Sequence, residues 1–115
     1  MVNLDYQSRM PIYEQIIAEI ERYVALGILK PQEQLMSIRE MATTLGINPN
    51  TVKKAYAELE NKGVIITIST KGTFIADNIK SIVDNKVDEK IADIKKIIDD
   101  LEKLGISKEE IIKRI

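Results

Sequence analysis

The sequence has no cysteine and no histidine. Without cysteine there is no disulfide, no zinc–thiolate site and no thiol nucleophile, a composition suited to a reducing cytoplasm. Without histidine the chain lacks the commonest transition-metal ligand and the commonest general base, and a Ser-His-Asp triad is excluded. Serine, threonine, tyrosine, lysine and the carboxylates are left for catalysis, and no pair of them stands at a diagnostic spacing. Neither an enzyme nor a cofactor or metal site is expected. Aromatics make up only 4% of the 115 residues, against 44% hydrophobic, so the core must be built from Ile, Leu, Val and Ala. No apolar run approaches the roughly 18 residues of a membrane span, and Met1 to Met10 lacks the apolar stretch of a secretory signal. A cytoplasmic chain of one domain, or one domain with an appendage, is expected.

Net charge is also scarce, at −1, which looks wrong for a nucleic-acid binder until it is divided along the chain. Residues 1–38 carry three basic and five acidic residues, and residues 72–115 carry nine and ten. Between them Arg39, Lys53, Lys54, Lys62 and Lys71 stand against Glu40, Glu58 and Glu60. The positive excess therefore lies in one middle segment, as a local basic patch requires.

Val2, Leu4 and Tyr6 alternate with polar residues, which reads as a short strand or an extended arm. Pro11 suits a first helical position. Ile12, Ile16, Ile20, Tyr23 and Val24 then recur at helical spacing up to Gly27, predicting a helix over 11–26. Ile28 to Met36 reads as a connection. Ser37-Ile38-Arg39-Glu40 forms a capping box that opens a helix over 38–45, closed by Gly46. Asn48 is a strong N-cap and Pro49 a good N1 residue for a helix over 49–62, with Val52, Ala55, Tyr56 and Leu59 facing inward and Gly63 at its end. Two β-branched runs, 64–68 and 73–75, flank Ser69-Thr70-Lys71-Gly72 and predict a hairpin with a four-residue tip.

Two helices joined by the tight Leu45-Gly46-Ile47-Asn48 turn, followed at once by a hairpin, have the order of a winged helix-turn-helix. The second helix of such a pair enters the DNA major groove by its N-terminal end. On a 100° wheel, Asn50, Lys54 and Ala57 point away from the core and Thr51 and Lys53 flank them. Asparagine can pair with adenine, and lysine can reach guanine or phosphate. Free N–H groups near Asn50 and Thr51 can also take a phosphate.

Residues 10–76 resemble the DNA-binding domain of the GntR family of bacterial regulators. The matching stretches are Pro11-Ile12-Tyr13-Glu14-Gln15-Ile16, Leu35-Met36-Ser37-Ile38-Arg39-Glu40-Met41-Ala42, Leu45-Gly46-Ile47-Asn48-Pro49-Asn50-Thr51-Val52 and Lys71-Gly72-Thr73-Phe74-Ile75. The opening stretch and the short helical tail are most similar to the YtrA subfamily. The resemblance implies a DNA contact from Arg39, contacts from Thr51 and Lys53 on the recognition helix, and polar contacts from Asn48 and Asn50. It also implies that Thr70, Lys71 and Gly72 form the wing tip at the minor groove. Met36 replaces the usual family proline, which implies a looser approach to the 38–45 helix. Pro49 replaces a residue that is often basic, which removes one contact.

From Ile79 onward the tail is helical, with Val87, Ile91, Ile94, Ile98 and Leu101 in one apolar stripe, broadened by Ile97 and Leu104. Gly105 interrupts it, and Ser107 to Glu110 is a second capping box. Two short helices cannot wall a small-molecule effector pocket of the usual ~300–1,000 Å³ within one copy. The stripe has too little of its own chain to cover it, so it must dock on a second copy or fold back on the winged domain. A homodimer matches two half-sites of a palindrome.

The expected fold is thus α+β and mostly helical: a winged helix-turn-helix DNA-binding domain over 1–76 and a helical dimerisation tail over 77–115. The expected function is a DNA-binding regulator, a repressor on a palindromic operator. The competing reading is a winged-helix module that binds protein rather than DNA.

Overall fold

The structure, a computed structural model, describes residues 2–115. The elements run α1 (Ile12–Ala25), β1 (Gln34–Leu35), α2 (Ile38–Leu45), α3 (Pro49–Asn61), β2 (Ile65–Ile68), β3 (Gly72–Ile75), α4 (Ile79–Lys103) and α5 (Lys108–Arg114). They divide into two compact units, one reaching Ile82 and the other running from Val83 to Ile115. The boundary falls inside α4, six residues after the 76/77 position read from the sequence.

Local signals start and stop the helices. The Ser37 hydroxyl accepts the Glu40 N–H at 3.1 Å, and Asn48 Oδ1 accepts the Asn50 N–H at 2.8 Å. Each satisfies a donor that the first turn would otherwise leave open. At the end of α2, Gly46 adopts φ +67°. Its N–H bonds to the Thr43 carbonyl at 3.3 Å, and the Ile47 N–H bonds to that of Ala42 at 3.0 Å, the paired bonds of a Schellman motif. The same pairing closes α1 at Gly27, α3 at Gly63 and α4 at Gly105. Pro11 stands one place earlier than its composition suggests, as the N-cap of α1 with extended ψ rather than as its first helical residue.

In the first unit α3 is the central element, packed on α1, α2 and β2. Val52, Ala55 and Leu59 of α3 are fully buried, as are Ile16 and Ile20 of α1, with Met41 of α2 nearly so. Ile65 and Ile75 face each other in the antiparallel β2–β3 register and close the base of this core. The first turn of α4 belongs to the same core, where Ile79 is buried.

The sheet has three strands in the order β1-β3-β2, all antiparallel. The connection read over Ile28–Met36 contains a strand that the sequence did not announce: Gln34 pairs with Phe74 and Leu35 with Thr73. A type II turn delivers it, with Pro31 following Lys30, Gln32 at φ +66° and the Glu33 N–H on the Lys30 carbonyl at 3.0 Å.

The opening residues form no strand. Val2 is buried, and the segment up to Met10 is an irregular arm held by one buried polar side chain, Gln15 of α1. Gln15 Oε1 accepts the Asp5 N–H at 2.8 Å, while Nε2 donates to the carbonyls of Asp5 and Met10, both at 2.9 Å. A single amide thus serves both backbone groups of Asp5, which is how a buried glutamine avoids an unsatisfied donor.

In the second unit Ile98 and Leu101 of α4 and Ile111 of α5 line one apolar groove. Ile111 is buried, Ile98, Leu101 and Ile106 are half-buried, and Ser107 caps α5 by accepting the Glu110 N–H at 3.2 Å. The rest of the apolar stripe is uncovered: Val87 is 52% exposed, Ile91 46%, Ile94 51% and Ile97 59%. No helix among the described residues is long and apolar enough to cross a membrane.

Candidate nucleic-acid interface

The buried side of α3 determines what its other side presents. With Val52, Ala55, Tyr56 and Leu59 committed to the core, Asn50, Lys53, Lys54 and Ala57 lie exposed and Thr51 half-buried. The roll of α3 is fixed by more than apolar packing. The Tyr56 hydroxyl donates to the Met36 carbonyl at 2.6 Å, tying the recognition helix to the segment that leads into α2. That bond gives the unusual Met36 position a firm anchor. Burial, helped by the negative charge of Glu40, pushes the Tyr56 phenol well above its ordinary value of 10.0. Because the folded state holds this proton more tightly than the unfolded chain does, the associated stability is complete below pH about 10 and declines as pH rises beyond it. Tyr56→Phe is expected to cost about 1–2 kcal/mol in urea melts at pH 7, through the orphaned Met36 carbonyl, and to flatten that alkaline decline.

Arg39 is the second residue of α2 and is exposed. Asn48 is exposed at the N-cap of α3, where its oxygen is occupied by the cap bond and its amide N–H groups remain available. Asn48, Asn50, Thr51, Lys53 and Lys54 therefore share the first two turns of one helix, with Arg39 opening the neighbouring helix. Thr70, Lys71 and Gly72 are not part of this cluster. They lie at the far end of the β2–β3 hairpin, whose base packs on α3.

Of the five cations in the basic segment, Lys62 is engaged by Glu21 at 3.5 Å. Lys54 lies over the Tyr13 ring, with Nζ 3.9 Å from its centroid. Arg39, Lys53 and Lys71 have no ion-pair partner among the described residues. Cations that form no ion pair on an exposed face keep their charge for an external anion. The described residues contain no cluster of His, Cys, Asp or Glu that could hold a metal ion.

The wing tip is shorter than the sequence suggested. Gly72 is already in β3, opposite Ile68, so the tip is the three residues Ser69, Thr70 and Lys71. The Lys71 N–H bonds to the Ile68 carbonyl at 3.0 Å, and Thr70 sits at φ +67°, a conformation costly for a β-branched residue. Gly72 has φ +124°, and a Cβ there would lie 2.7 Å from Gln34 Nε2. That amide, reaching from β1, donates to the Lys71 carbonyl at 3.3 Å. Gln34 is the contributor to the wing that the sequence reading missed, because its place depends on the unannounced strand β1. Thr70→Gly is expected to stabilise the fold by about 0.5–1 kcal/mol, the relief of left-handed strain less the added chain entropy, read as a Tm rise of a few degrees.

Residues 12–75 match the family described as "Bacterial regulatory proteins, gntR family". Over 112 residues the chain is 41% identical to the HTH-type transcriptional repressor YtrA of Bacillus subtilis, covering 96% of this chain and 86% of that protein. A transcriptional regulator from Oenococcus oeni superposes with a TM-score of 0.76 at 40% identity, over 98% of this chain and 94% of that one. The DNA-binding domain of AraR, solved in complex with its operator ORR3, superposes with a TM-score of 0.56 at 26% identity, over 64% of this chain and 89% of that domain. With its winged helix-turn-helix, an exposed recognition face and relatives matched over nearly their whole length, this chain belongs to the gntR family of bacterial regulatory proteins and is YtrA-like in extent.

Proposed function

We propose that this chain is a sequence-specific DNA-binding transcription regulator, a repressor acting in the cytoplasm, which grips a palindromic operator as a homodimer. It has no catalytic role in this reading. Residues 1–76 read the DNA and residues 77–115 bring two copies together. Asn50 and Thr51 approach base edges, Lys53 and Arg39 contact bases or phosphate, and Asn48 offers its amide N–H groups. Thr70, Lys71 and Gly72 carry the wing to the minor groove, where glycine lets the backbone come close.

The observation that carries the reading is the uncovered start of α3, flanked by Arg39 and Lys53, which form no ion pair among the described residues. The operator complex of the AraR domain supports it by likeness, and the repressor named among the relatives supports the direction of regulation. For the dimer the support is physical. Val87, Ile91 and Ile94 leave a row of apolar side chains in water, beside an open groove of about 320 Å³ between α4 and α5 lined by Ile97, Ile98, Leu101, Ile106 and Ile111. Contiguous apolar surface of this kind marks an association site, and a second copy supplies a matching surface by symmetry.

Selection of bound sequences from random duplexes, repeated at two salt concentrations, tests the proposal. An enriched inverted repeat whose affinity falls as salt rises is the expected result. Recovery of no enriched motif sinks the reading.

A further inference from the structure

We propose that Tyr13 is a positioning residue for DNA binding: its ring holds the Lys54 ammonium at the edge of the recognition face, aimed at a backbone phosphate. The inference rests on the DNA-binding reading above and goes beyond it, because it assigns a role to a residue of α1 that lies outside the helix-turn-helix and the wing.

Lys54 Nζ lies 3.9 Å from the Tyr13 centroid, well inside the ~6 Å range of a cation–π contact. Tyr13 is the second residue of α1 and is half-buried. Its helix is fixed against α3 by Ile16 and Ile20, both fully buried. The ring is therefore a rigid platform, whereas a lysine stem alone samples many rotamers.

Two features separate this contact from an incidental surface pairing. Lys54 stands one turn beyond Asn50 and three residues beyond Thr51, on the same stripe of α3, so what orients it borders the face proposed to meet DNA. And Lys54 has a carboxylate one turn further on, Glu58, with which it makes no ion pair. A carboxylate would neutralise the ammonium. A ring face orients it and leaves its charge and N–H donors for an external anion. Lys53, the adjacent cation, lies over no ring among the described residues, so the two lysines differ: Lys54 is pre-set and Lys53 is adaptable.

The test uses the full chain and one fixed duplex, the most enriched sequence selected by the unmodified protein. Affinity is measured for Tyr13→Leu, Tyr13→Phe, Lys54→Met and the Tyr13→Leu/Lys54→Met pair at two salt concentrations, with thermal melts to establish the folded fraction. In the free protein, NMR reads the ring-current shift of the Lys54 ε-methylene protons. The expected results are an upfield Lys54 shift abolished by Tyr13→Leu, a Kd raised about 3- to 5-fold by Tyr13→Leu, and a change under about twofold for Tyr13→Phe. Lys54→Met should lower the salt slope by about 1 per half-site, and the double variant should bind no more weakly than Lys54→Met alone.

The proposal is overturned by an unchanged or tightened Kd for folded Tyr13→Leu, or by additive losses in the double variant. An equal loss in Tyr13→Phe would assign the effect to the hydroxyl and overturn the role of the ring. If Tyr13→Leu lowers the folded fraction, the shift in the unmodified protein decides, and its absence overturns the proposal. A wild-type protein that binds DNA while Tyr13→Leu has no effect sinks this inference alone. A wild-type protein that selects no sequence sinks it together with the function it rests on.

Discussion

Reversing Arg39, Lys53 and Lys71 together, as R39E/K53E/K71E, is expected to weaken operator binding at least about a thousandfold at moderate salt while leaving the fold intact. All three side chains are exposed, and none has an ion-pair partner among the described residues. Their loss therefore breaks nothing inside the molecule. Arg39→Glu even places a negative charge in the first turn of α2, where the helix dipole favours it. In a dimer the triple change removes six cations from the DNA face and installs six anions. Because each phosphate contact contributes about 0.9 to the salt slope, the residual binding should also lose most of its salt dependence. Electrophoretic mobility shifts on the selected duplex, with circular dichroism as the check on folding, read both quantities. A triple variant that binds within tenfold of wild type would place the DNA face elsewhere, and would favour the module that binds protein.

The second large effect is expected in the tail. Ile91→Asp with Ile94→Asp should convert a dimer into monomers without unfolding either unit. These two positions are 46% and 51% exposed, so a single copy does not depend on them for its own core. Covering the exposed half of an isoleucine is worth about 0.75–1.5 kcal/mol, and four are affected across a two-fold interface. At 1.4 kcal/mol per tenfold, the dimer dissociation constant should rise at least about a hundredfold, before any cost of desolvating carboxylates. Sedimentation equilibrium measures this directly. Operator affinity should fall with it, because the second half-site is no longer reached at a high effective concentration. Unchanged mass and unchanged affinity would remove the dimerisation role from this stripe.

The contrast between Ile91 and Ile98 shows why both positions looked alike beforehand. Both fall on one helical stripe, and periodicity identifies a stripe without naming what covers it. In the structure Ile98 and Leu101 are half-buried in a groove shared with Ile106 and Ile111, while Val87, Ile91 and Ile94 stay open. A similar limit applies to Lys54. A helical wheel turns it away from the core, correctly, but cannot see that Tyr13, forty-one residues earlier, lies beneath its ammonium.

What the chain's own order of residues determined was the helix starts and stops set within a few positions. Ser37, Asn48 and Ser107 mark helix starts, and Gly27, Gly46, Gly63 and Gly105 mark helix ends. Caps and Schellman turns close hydrogen bonds between residues at most five apart, so their signals are written where they act. The ordered motifs of a gntR regulator follow from the same local text. Tertiary structure alone decided the two-residue strand β1, the Gln34 amide across the wing, the Gln15 clasp on the arm and the platform under Lys54. Each of these includes a link between residues ten to forty-one positions apart. Their partners become neighbours only when α1, α3 and the sheet have packed, and a polar or β-forming residue carries no mark of a partner that chain collapse brings to it.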